Sequence, residues 1–120
     1  MIEFWKYISR TAVRANPDKI FLFGDNLEKA GFGGQAAEMR GEPNAIGIPT
    51  KRKPSMTPDS FFTDDEYEAN IKAIDEALDV IPQGKPLVVP VAGLGTGLAD
   101  LRNKAPKTFA YLESRLKQLK

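Results

Sequence analysis

With 120 residues the chain has the length of one ordinary domain, residues 1–120, and its 17 basic against 16 acidic side chains create no global field toward nucleic acid or an anionic membrane. Cysteine and histidine are both absent, which excludes disulfides, thiolate or imidazole catalysis and the ordinary transition-metal sites; carboxylates, lysine, tyrosine and main-chain amides remain, and no metal or cofactor is expected. No run approaches the roughly 20 apolar residues of a membrane span and the first ten residues lack a secretory signal's apolar core, so a cytoplasmic location without a membrane partner is the expectation.

Residues 3–9 alternate and carry Phe4, Trp5, Tyr7 and Ile8, the pattern of a strand. Asn16-Pro17-Asp18 marks a turn. Ile20-Phe21-Leu22-Phe23 is an uninterrupted apolar run, which suits a strand covered on both faces in the middle of a sheet. Gly31-Phe32-Gly33-Gly34 then leads into a short helix over residues 35–40, stopped by Gly41 and Pro43. Residues 45–48 read as another strand ending at Pro49, and residues 50–62, with prolines at 54 and 58, as an ordered loop or lid.

Thr63 and Glu66 have capping-box spacing, and behind them Tyr67, Ile71, Ile74, Leu78 and Ile81 mark an amphipathic helix ended by Pro82 and Gly84. Leu87-Val88-Val89 with Val91 predicts a buried strand that runs directly into Ala92-Gly93-Leu94-Gly95-Thr96-Gly97. Ala105, Phe109, Leu112, Leu116 and Leu119 predict a last helix, with Asn103 as N-cap and Pro106 in its first turn. Strands alternating with helices predict an α/β fold, a compact three-layer α/β/α domain with a mostly parallel central sheet. Ligands of such sheets collect at the carboxyl ends of strands, where both glycine loops fall.

Glycine permits positive φ and lets consecutive N–H groups approach phosphate oxygens with no Cβ in the way. The helix behind the first loop adds its positive end. Glycines after strands also serve simply as tight turns, but two such loops at one sheet edge point to a phosphate site. Neither is a known nucleotide fingerprint: there is no Gly-x-x-x-x-Gly-Lys-Ser/Thr run, and Leu98 stands where the dinucleotide motif has glycine or alanine.

Four segments together resemble a macro domain, the ADP-ribose-binding family: Phe21-Leu22-Phe23-Gly24-Asp25-Asn26, Gly31-Phe32-Gly33-Gly34-Gln35-Ala36, Ile48-Pro49-Thr50-Lys51, and Val89-Pro90-Val91-Ala92-Gly93-Leu94-Gly95-Thr96-Gly97-Leu98-Ala99-Asp100-Leu101. The similarity covers nearly the whole chain from Ile20 onward. It is nearest to the antitoxin-type macro domains, DNA ADP-ribosyl glycohydrolases, which similarly carry Pro-Thr-Lys after a central strand and a Leu-Gly-x-Gly-Leu turn. The resemblance implies a macro-like fold in which Asn26 lies by the distal ribose, with Asp25 beside it among the ligand-binding residues. Gly33 and Gly34 would match the first diphosphate loop and Gly95, Thr96, Gly97 and Leu98 the second, with Gly31, Phe32, Gln35, Thr50, Gly93 and Leu94 also among the ligand-binding residues. Asn26 could instead only cap a turn.

The sequence departs from the family in two ways. The stretch Arg10-Thr11-Ala12-Val13 holds no acidic residue where the family places an aspartate to read adenine, and the chain is shorter than most macro domains. In the DNA-directed subgroup the lysine of Pro-Thr-Lys is the catalytic candidate, which here is Lys51. Arg52 and Lys53 beside it predict a pKa lowered by like-charge repulsion, favouring the neutral amine that attacks an anomeric carbon. The same three cations could form a solvated loop or a patch that steers a nucleic-acid backbone. Asp25 and Asp100 are the remaining acid or base candidates.

Three functions stay open. The chain could bind ADP-ribose or a related phosphate-bearing nucleotide without turnover, or act as an ADP-ribosyl hydrolase on ADP-ribosylated nucleic acid or protein through Lys51. It could also be a ligand-free interaction module on a macro-like scaffold. A monomer is expected in each case.

Overall fold

The computed structural model describes residues 1–119 and contains four strands, β1 (Ile2–Trp5), β2 (Ile20–Asn26), β3 (Ala45–Lys51) and β4 (Leu87–Pro90). They form one sheet in the order β1-β4-β2-β3, with every pairing parallel. Five helices accompany them: α1 (Arg10–Ala15), α2 (Ala36–Met39), α3 (Tyr67–Asp79), α4 (Leu101–Lys104) and α5 (Pro106–Gln118).

Alternation along the strands sorts the core into two layers. Ile20 and Leu22 of β2, with Ile48, Leu87 and Val89, pack against α3, α4 and α5 through Ile74, Leu78, Leu101, Phe109 and Leu112. Phe21 and Phe23, with Val88, face the other way onto Val13 of α1 and Ala36 and Met39 of α2. The result is the three-layer α/β/α arrangement expected from the alternating pattern.

Several local expectations are corrected. The first strand ends at Trp5, because Ser9 Oγ accepts the Ala12 N–H at 3.1 Å and starts α1. Strand β3 continues through Pro49 to Lys51, since it is an edge strand and a missing N–H on its outer side breaks no ladder bond. Thr50 and Lys51 are therefore strand residues. The segment from Arg52 to Phe62 is an ordered loop, as expected: Arg52 donates its N–H to Ser60 O at 2.8 Å, Lys51 bridges Phe61, and Ser60, Phe61 and Phe62 are buried. Thr63 makes no side-chain cap and Glu66 pairs with Arg52, so the capping box does not form. Asn103 lies inside α4, and α5 starts after Ala105 with Pro106 in its first turn. Among the described residues no helix is long and apolar enough to cross a membrane.

Candidate functional site

Strands β2 and β4 are hydrogen-bonded neighbours only at Ile20–Leu87 and Phe21–Val88. Beyond that point β2 runs on to Asn26 and hands the chain to α2 on one face of the sheet, while β4 runs on to Pro90 and hands it to α4 and α5 on the other. Adjacent parallel strands whose exits leave to opposite faces open a crevice at their carboxyl ends. Here the crevice is a cleft of about 340 Å³, within the range of small-ligand sites.

Both glycine loops line it. Asp25, Asn26, Gly31, Phe32, Gly33, Gly34, Gln35, Thr50, Lys51, Gly93, Leu94, Gly95, Thr96, Gly97 and Leu98 all border this one cleft. Arg10, Thr11, Ala12 and Val13 do not, and neither does Asp100. Gly31, Gly34, Gly93 and Gly95 have φ of +89°, +58°, +89° and +76°, the left-handed region that glycine enters without cost. Gly24 serves by close approach: a Cβ there would lie 3.3 Å from both Gly95 N and Thr50 Oγ1, so the second loop is seated directly on β2.

Among the described residues no backbone carbonyl accepts the N–H groups of residues 31–36 or 94–99. Gly93 is the exception within the second loop, its N–H being donated to Pro90 O at 2.8 Å, so it contributes a turn and no free donor. Two runs of unpaired amides on one crevice are the chemistry of an anion site.

Several side chains are already engaged. The Asn26 amide closes a tight loop, donating to Ala30 O at 2.7 Å and accepting from Ala30 N at 3.4 Å. Thr50 Oγ1 donates to Asp25 O at 3.2 Å, and Gln35 Nε2 donates to Ile8 O at 2.7 Å. The Asp25 carboxylate accepts from its neighbour Asn26 N at 2.8 Å and pairs with Arg40 at 2.5 Å. Asp25 in this state is an anchor, not a free base.

Lys51 is 8% exposed and borders the cleft. Its Nζ donates to Ser55 O, lies 3.5 Å from Met56 Sδ and sits 4.7 Å from the Phe61 ring centre. No carboxylate among the described residues pairs with it. Burial lowers its pKa from the ordinary lysine value. The direction agrees with the sequence expectation and the cause does not, because Arg52 is paired with Glu66 and Lys53 with Asp59 at 2.9 Å.

Arg40 was not singled out by sequence. It stands on the residue closing α2, borders the cleft and donates to Gly31 O at 2.6 Å. The only signal for it was its place one helical turn behind a glycine loop.

A family model described as a family of unknown function (DUF7831) matches residues 3–115. Comparison with curated proteins and with solved structures gives no match.

Proposed function

The chain belongs to DUF7831, a family of unknown function, and we propose that it binds ADP-ribose or a related phosphate-bearing nucleotide in the cleft between β2 and β4. The observation that carries this reading is the convergence of two glycine loops, with amides free of carbonyl partners, on one crevice at the carboxyl ends of parallel strands. The Lys51 ammonium, which no carboxylate among the described residues pairs with, supports it by offering a counter-charge at a largely buried position. In this reading the protein is a cytoplasmic monomer whose partner is the nucleotide itself. Calorimetry with ADP-ribose, ADP and ribose 5-phosphate tests it. Binding of ADP-ribose that is abolished in Gly97→Glu, which places a carboxylate on the cleft where a Cβ meets nothing within 4 Å, is expected; no heat from any of the three at millimolar ligand overturns it.

The environment of Lys51 favours a second reading, ADP-ribosyl glycohydrolase acting on ADP-ribosylated nucleic acid or protein. A desolvated lysine yields neutral amine at a lower pH than a solvated one, and the neutral form is the nucleophile. Incubating ADP-ribosylated DNA or protein with wild type and Lys51→Ala decides it. Equal release by both would remove Lys51 from the chemistry and leave the binding reading standing.

A further inference from the structure

An arginine beside a phosphate site ordinarily grips the phosphate through its planar fork. Arg40 is arranged otherwise. Its Nη2 donates to Asp25 Oδ1 at 2.5 Å and to Ala30 O at 3.2 Å, its Nη1 to Asp25 Oδ2 at 3.3 Å, and its Nε to Gly31 O at 2.6 Å. These bonds use all but one of its N–H donors. The guanidinium also lies over the Phe23 ring at 5.7 Å. The counter-ion is held as firmly: a Cβ on Gly47 would fall 2.5 Å from Asp25 Oδ2 and 2.8 Å from its Cβ, so the bare backbone of β3 makes the room that Asp25 occupies. The chain of contacts runs from Gly47 through Asp25 and Arg40 to two consecutive carbonyls of the first glycine loop.

Those carbonyls determine where two amides point. The peptide bonds are trans, so the N–H of each residue is directed opposite to the carbonyl of the residue before it. With Ala30 O and Gly31 O turned toward the guanidinium, the N–H groups of Gly31 and Phe32 are turned away from it. We propose that Arg40 is a positioning residue of the anion site: clamped by Asp25, it orients the peptide planes that present the Gly31 and Phe32 amides to the ligand's phosphate, and it does not bind that phosphate itself. The inference rests on the nucleotide-binding reading above.

Substitution of the counter-ion separates positioning from direct contact by sign. Asp25→Asn frees the Arg40 charge; a phosphate-gripping arginine would then bind ADP-ribose more tightly, whereas a positioning arginine loses its anchor and binding weakens by about tenfold or more. Arg40→Lys keeps the charge and loses the fork, so it should weaken binding as much as Arg40→Gln does. Calorimetry with ADP-ribose at low and high salt, with thermal melting of each variant, reads these outcomes. The salt dependence of Arg40→Lys should match wild type, because that substitution leaves every charge at the site in place. Tighter binding by Asp25→Asn, or near wild-type binding by Arg40→Lys, overturns the proposal. Where Asp25→Asn does not fold, the Lys and Gln pair at position 40 carries the same test. A wild type that does not bind ADP-ribose refutes the nucleotide reading instead, and that outcome is distinct from both.

Discussion

Leu98 of the second glycine loop touches Gly33 of the first: a Cβ built on Gly33 would lie 3.0 Å from Leu98 Cδ1. The two loops thus meet across the cleft they line. Gly33 is not among the positive-φ glycines, so its backbone accepts alanine, and Leu98, 58% exposed, can swing aside. Gly33→Ala should therefore cost less than about 1 kcal/mol of stability. Its effect on nucleotide affinity should be larger, and Leu98→Ala in the same chain should recover much of the loss. Urea unfolding and calorimetry on the double-mutant cycle check this; strictly additive effects would mean that the loops do not touch in solution.

Gly95 and Gly34 share a left-handed backbone and differ in their surroundings. At Gly95 a Cβ would meet Leu101 Cβ and Cδ2 and Thr50 Cγ2, each at 3.1 Å, at a φ of +76°. Backbone strain and overpacking then combine, and Gly95→Ala should lose about 2–4 kcal/mol. At Gly34, φ +58°, nothing lies within 4 Å, so Gly34→Ala carries backbone strain alone, about 1 kcal/mol, and Gly34→Asn less. Chemical denaturation of the three variants should return that order.

The sequence made the scaffold legible where apolar runs are long or periodic. Phe21, Leu22 and Phe23 announced a central strand, Ile74 and Leu78 a helix, and the glycines their two loops. The six residues of α1 and four of α4 are too short to display a helical period, so both escaped notice, and only the Ser9 cap could have betrayed α1. Pro49 read as a stop because edge placement is a property of the sheet and not of the residue. The Arg40–Asp25 clamp was invisible for a related reason: it spans 15 positions, and the room for it is made by Gly47 on a third segment.

Glu42 ties α1 to the end of α2, directly behind the first glycine loop. Its carboxylate accepts Arg14 Nε at 3.1 Å and an N–H of Arg10, and its side chain is 7% exposed. The hydrogen bond from Arg14 holds its pKa below the usual carboxylate value; burial opposes this, and Arg10 adds to the lowering. The folded state therefore binds this proton less readily than the unfolded chain does. The stability it supplies is present above the ordinary glutamate value of about 4.3 and is lost as pH falls through the depressed folded value. Glu42→Gln should be less stable than wild type at neutral pH, and the two urea midpoints should converge in acid. A gap that persists undiminished at the lowest pH would show that packing, not ionisation, is what the substitution removes.

Lys51 gives a pH dependence of the same sign for a different reason, because here the charged form is the one that burial penalises. Burial lowers its folded pKa, so above that value the unfolded chain holds more protons than the folded one and stability rises with pH. The rise begins near the depressed folded value and ends near the ordinary lysine value of about 10.4; below it the full cost of burying the ammonium is present. Lys51→Met lacks this rise, so the stability of wild type relative to the variant should improve from neutral to alkaline pH. Curves that stay parallel would place the amine in water. A bound phosphate offers the ammonium the counter-charge that its surroundings lack, which should raise the pKa and shift the rise to higher pH in saturating ADP-ribose. If the amine also attacks an anomeric carbon, displacing the linked group, with water then freeing the sugar, kcat/KM for release of ADP-ribose should rise with pH about the depressed folded value at which the stability gain begins, because both report loss of one proton from the folded-state amine.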